Sequence, residues 1–107
     1  MTVEALTEYG FEPLCVPDPD REITGVYIGD LLSWVMGRAK SGDAWITIMS
    51  NINIVAVASL ADTSCIILAE GVTLESDVIK TAEAKDINIF SFSGSCYDAA
   101  VLLSGLL

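Results

Sequence analysis

Apolar and polar positions switch between a helical and a strand period along this chain, and the switches mark its elements. Val3, Leu6 and Tyr9 share one helical face over residues 2–9, with Thr2 as N-cap and Gly10 in the C-cap position. Phe11 to Val16 predicts a strand, placed at a sheet edge because Pro13 has no N–H to give a ladder. Pro17-Asp18-Pro19-Asp20 is a rigid turn, and Ile23 to Ile28 is a second strand. Gly29-Asp30 opens a helix with Asp30 as N-cap; Leu31, Leu32, Val35 and Met36 follow at helical spacing, and Gly42 closes the segment. The central unit runs from Gly42 to Gly71. It holds a strand over Trp45–Met49, a polar Ser50-Asn51 corner, a small-residue apolar helix over Ile52–Ala61 and a strand over Ser64–Leu68. Beyond it, Thr73 or Ser76 caps a helix over Asp77–Lys85, with Val78, Ile79 and Ala82 inward and charges outward. A strand over Ile87–Phe92, a Ser93-Gly94-Ser95 turn and cap, and an apolar helix over Cys96–Leu107 complete the chain.

Strands alternating with helices imply an α/β fold with right-handed crossovers. The expectation is one three-layer domain over residues 1–107. Its mostly parallel sheet has about four or five strands and is flanked by helices. In such sheets ligands gather beyond the carboxyl ends of the strands. That rim is built from Gly29, Asp30, Ser50, Asn51, Asn53, Glu70, Gly71, Ser93, Gly94 and Ser95. It carries no Lys or Arg, so a neutral hydrogen-bonding pocket fits it better than a phosphate cradle. The alternative is that these residues are ordinary caps and turns.

Two helices are apolar around their whole circumference, Ile52–Ala61 and Cys96–Leu107. Such a helix is buried on all sides, which in a small chain points to a second copy. A two-fold homodimer is expected, with Ile52, Ile54, Val55, Ala56, Ala58 and Ser59 as its seam because small residues permit close approach. The rival readings are a hetero-interface, or an internal position between the sheet and a flanking helix. Trp34 falls off the main apolar face, as a partner surface or as packing for the N-terminal segment. The chain ends inside an apolar pattern, which leaves room for a neighbouring domain.

Composition narrows the function classes. Apolar residues make up 52% of the 107, with a mean hydropathy of +0.56, yet no run approaches the roughly 18 residues of a membrane span. Fifteen acidic residues against five basic ones give a net charge of −10, which argues against nucleic acid and anionic membranes. The first residues lack the basic and apolar pattern of a secretory leader, so a cytoplasmic setting is expected. Cys15, Cys65 and Cys96 are far apart and odd in number, which speaks against a disulfide framework and a zinc site. Cys65 reads as a core residue, whereas Cys96 at a helix N-terminus has the setting in which a thiol pKa falls. Histidine is absent, so a nucleophile has no imidazole base, and Asp30, Glu70 and Asp98 come from different elements. No catalytic residue, metal ligand or cofactor is expected, and no phosphate-loop or dinucleotide motif occurs.

The run Ile23-Thr-Gly-Val-Tyr-Ile-Gly-Asp-Leu-Leu-Ser-Trp-Val-Met36, with Gly42-Asp-Ala-Trp-Ile-Thr-Ile48 and Asn53-Ile-Val-Ala-Val-Ala-Ser-Leu60, resembles the DRTGG domain family. The resemblance spans nearly the whole chain. It lies closest to stand-alone members and to the domain set between CBS modules in regulated inorganic pyrophosphatases. It implies a regulatory or dimerising module rather than a catalyst, with a ligand of unspecified identity. With the polar rim, the expectation is a module that regulates or assembles a partner protein and senses a small nucleotide-like ligand. Ser50-Asn51 and Ala69-Glu70-Gly71 stand where the naming motif of the family falls, and Asp20-Arg21 lies elsewhere. An alternative function is a structural adaptor that docks a partner through its apolar helices.

Overall fold

The continuous apolar runs of the central unit become strands buried on both faces, and the sheet follows from them. The computed structural model describes residues 1–107. A 3-10 helix, Val3–Tyr9, precedes β1 (Glu12–Cys15) and β2 (Gly25–Ile28). Then come α1 (Leu32–Arg38), β3 (Asp43–Thr47), α2 (Asn53–Ala61), β4 (Cys65–Leu68), α3 (Ser76–Ala84), β5 (Ile89–Ser91) and α4 (Cys96–Leu106). Strand order is β1-β5-β4-β3-β2; β2 to β5 run parallel and β1 is antiparallel to β5 at one edge. The sheet is therefore mixed, with a parallel body and one antiparallel edge strand, and β2 forms the other edge.

Register sorts the strand residues into two cores. Trp45, Ile66 and Ile89 align across three strands and face α1, α2 and α3 through Val35, Ile54, Val55, Val57, Ala58, Val78 and Ala82. Ile46, Ile67 and Phe90 align on the opposite face and meet Val3, Leu6, Phe11, Ala99 and Leu103. With no strand face left to water, alternation disappears from β3 and β4, as it does in parallel sheets. Burying each such Leu, Ile or Phe side chain stabilises by about 1.5–3 kcal/mol.

The polar interior is tied just as firmly. Asn88 is 2% exposed, accepts from the Asp18 N–H (2.9 Å), and donates to the carbonyls of Asp18 (2.8 Å) and Ser64 (3.0 Å). It holds the Pro17–Asp20 turn to the feet of β4 and β5. Gly42 turns into β3 at φ 89°, and a Cβ there would run into the Thr24 side chain, so the position needs glycine twice over.

Several expected caps are replaced by other contacts. Thr2 makes no side-chain cap bond and instead bridges Glu22. Asp30 does not cap α1, whose cap position is Leu31. Neither Thr73 nor Ser76 caps α3, which begins after Glu75 with no side-chain cap bond. Ser95 does cap α4: its hydroxyl accepts from the Asp98 N–H (3.0 Å), and Asp98 reaches back to the Ser95 N–H in a capping box.

The two apolar helices differ from expectation. Ile54, Val55 and Ala58 are at most 1% exposed within the single chain, because α2 is packed against the sheet with α1 and α3 beside it. These three are removed from the expected seam, and the internal reading explains their apolarity. Ile52, Ala56 and Ser59 remain at the surface, with Leu60 72% exposed. On α4 only Ala99 and Leu103 are fully buried; Tyr97, Val101, Leu102 and the following Leu107 face outward.

Candidate functional site

All four parallel strands end on one side of the molecule, so the loops after Ile28, Thr47, Leu68 and Ser91 share a rim. The ten rim residues named from the sequence lie in or just after those loops. Many of their polar groups, however, are engaged in bonds that tie the loops to the sheet and to each other.

Asp30 Oδ1 accepts from the buried Thr47 hydroxyl (2.7 Å) and from the Ile48 N–H (3.0 Å). The Trp45 indole donates to the Gly29 carbonyl at 2.8 Å, and the Gly29 N–H donates to Ile46 O at 3.2 Å. These bonds staple the β2–α1 corner to β3. Further along, the Glu70 N–H donates to Gly94 O (2.8 Å) and the Gly71 N–H to Phe92 O (3.0 Å). That pair holds the β4–α3 loop against the β5–α4 loop. Glu70 and Gly71 both adopt left-handed backbone, φ 62° and 67°, a conformation costing a non-glycine residue about 1 kcal/mol or more. Ser93 and Gly94 belong to the same tied turn, and Ser95 is committed to its capping box.

The open part of the rim is the β3–α2 corner. Ser50, Asn51 and Ile52 line a groove of about 420 Å³, facing Thr73, Glu75, Asp77 and Val78 from the start of α3. Asn51 Oδ1 accepts from the Asn53 N–H (2.9 Å), which leaves the Asn51 amide NH₂ as a free donor. Asn53 is exposed but does not line the groove. Thr73, Glu75 and Asp77 carry no motif that marks them as site residues. Their only signal is position, in the loop and first turn after a strand ending at the same rim. Two carboxylates and no cation make the groove repel phosphate and favour hydroxyl, amide or amine groups.

Cys96 departs from the helix-terminus expectation. Burial pushes its thiol above the ordinary 9.0, and the Asp30 and Glu70 carboxylates raise it further, outweighing the helix backbone. Asp30 and Glu70, from separate loops, thus converge electrostatically on the start of α4. The result is a thiol held in its neutral form. Cys65, fully enclosed, is pushed up to about 12, as a core residue should be.

A second cavity of about 440 Å³ has the opposite chemistry. Thr24, Gly25, Val26 and Tyr27 along β2 line it with Arg38, Lys40, Ser41 and Asp43, at the end of the strands away from the rim. Arg38 lies 3.7 Å above the ring centre of Trp34. Both salt bridges in the molecule are elsewhere, Met1 with Glu22 and Arg21 with Asp62, so Arg38 and Lys40 have no carboxylate partner.

No helix is long and apolar enough to cross a membrane. No protein-family model matches the sequence, and no curated protein matches it either. The fold does have a solved counterpart. It is similar to the CBS and DRTGG domains of the regulatory region of a Clostridium perfringens pyrophosphatase, solved in complex with the activator diadenosine tetraphosphate. The TM-score is 0.72 at 17% identity, over 94% of this chain and 44% of that one. This chain spans less than half of that region, and the likeness is one of fold: the architecture is that of a DRTGG-like domain.

Proposed function

We propose that this chain is a non-catalytic regulatory module that senses a small nucleotide-like ligand at the C-terminal rim and works as a homodimer in the cytoplasm. The observation that carries the ligand reading is the groove between Ser50-Asn51-Ile52 and Thr73–Val78, where the rim forms a cavity and the Asn51 amide donor is unspent. A regulatory region that shares this fold over 44% of its length, solved in complex with a nucleotide activator, supports the same reading. The acidic lining selects the nucleoside end of such a ligand, with phosphates directed to solvent. Three free thiols suit a reducing compartment.

The test is a thermal-shift screen of nucleosides and nucleotides, followed by calorimetry. A ligand present at 100 times its Kd adds about 2.7 kcal/mol. Asn51→Asp keeps the acceptor for the Asn53 N–H but removes the NH₂ donor, so it should abolish that stabilisation without loosening α2. A panel with no stabiliser, or a stabiliser indifferent to Asn51→Asp and Glu75→Gln, overturns the ligand reading. A structural adaptor is the second reading, favoured by the outward Tyr97, Val101, Leu102 and Leu107 of α4. It predicts no response to any metabolite.

A further inference from the structure

The two edges of the sheet are built differently. At one, β1 carries Glu12 and Pro13, and its pairing with β5 is irregular between Pro13 and Cys15. Charge, proline and a bulge are the devices that blunt an edge. At the other, β2 reads Gly-Val-Tyr-Ile, with no charge and no proline, and pairs in unbroken register with β3 alone. Beside it α1 presents Leu31 (57% exposed), Trp34 (52%) and Arg38 along one stripe, and Arg38 shares the β2 cavity. An open strand edge and an apolar stripe therefore form one continuous surface.

We infer that a second copy of this chain docks here, the two β2 strands pairing antiparallel about a two-fold axis into one continuous sheet. The inference rests on the homodimer reading and names its seam. Self-complementarity carries it. The helix α1 runs back along β2, so Asp30 and Leu31 sit at the rim end of the unit and Arg38 and Lys40 at the other. A two-fold axis between the paired strands, level with the middle of β2, brings Asp30 and Leu31 of each copy to Arg38 and Lys40 of its partner, and the two Trp34 rings to the centre. Each copy then offers Asp30 Oδ2, the oxygen left free when Oδ1 accepts from Thr47 and Ile48, to the unpaired cations of the other. Such isologous matching is what a two-fold interface requires.

Sedimentation velocity on the full chain tests it, with Trp34→Glu and Arg38→Glu as seam variants and Ala56→Glu on α2 as the comparison. All three positions are exposed, so the circular dichroism of each variant should stay near wild type. A dimer is expected for wild type and Ala56→Glu. In each seam variant the dissociation constant should rise by about 30-fold or more, as at an interface hot spot. A dimer weakened by Ala56→Glu but not by Trp34→Glu or Arg38→Glu overturns the seam and leaves the homodimer standing. A dimer that none of the three weakens overturns the seam in the same way. A monomeric wild type at 100 μM overturns both.

Discussion

Replacing Asn88 with alanine should cost about as much as a large cavity in the core, although it removes only a small polar group. The side chain makes three hydrogen bonds, at 2.9, 2.8 and 3.0 Å, with residues 24 and 70 positions away along the chain. Each is worth about 1 kcal/mol, so truncation costs about 3 kcal/mol. Ser64 is itself buried, and its carbonyl has no ready access to water in the variant. For 107 residues the unfolding entropy is about 0.22 kcal/mol/K, so the midpoint should fall by roughly 13 °C. Urea unfolding followed by the fluorescence of buried Trp45 gives the free energy directly. The denaturant slope should be unchanged, because the turn stays attached through the backbone. A loss under about 1 kcal/mol, or a reduced slope, would refute the claim that the Asn88 amide holds turn and sheet together.

Two further outcomes follow from charge. Cys96 is the only cysteine not buried, and its raised pKa predicts alkylation by iodoacetamide at pH 7.5 slower than a free thiol, with the rate still climbing above pH 9.0. A rate equal to or above that of free cysteine would contradict the acidic surroundings described for it. The Asp62 carboxyl is held below its ordinary 3.8 by the Ser41 hydroxyl first and then by Arg21. Its folded value is the lower one, so its contribution is complete above about pH 4 and is lost as pH falls through the depressed value. The carboxylate is 60% exposed, which limits the effect to under about 1 kcal/mol. Asp62→Asn should therefore destabilise near neutral pH and converge on wild type in acid unfolding. A difference that persists at pH 2 would assign the loss to packing rather than charge.

Periodicity located every element of this fold, because buried parallel strands and the helices covering them leave long apolar signatures. Trp45 and Ile46 announce a strand whichever face each adopts. Boundaries moved by a few residues at β3, where the run continues to Met49 but pairing ends at Thr47. Local capping chemistry was legible only where both partners are close in sequence, as in Ser95 and Asp98. Asp30 looked like a cap because nothing nearby shows that its carboxylate is claimed by Thr47, 17 residues on. The same limit hid the groove. Ser50 and Asn51 were readable as a polar corner, but Thr73, Glu75 and Asp77 meet them only after β4 and α3 are in place. The apolar circumference of α2 predicts burial on all sides, yet only Ile54, Val55, Val57 and Ala58 are covered, by the sheet, α1 and α3. Ile52, Ala56, Ser59 and Leu60 stay exposed, a division that side-chain identity alone does not mark.

The unlike edges of the sheet set a limit on growth. An assembly that joins through an open strand edge continues only while another such edge is available. Here Pro13 and the irregular pairing beside it close one side of every copy. Joining two β2 strands consumes the only open side of each, and no template remains for a third chain. A protein this rich in apolar residues thus has a route to association that stops at two, rather than one that propagates into fibres.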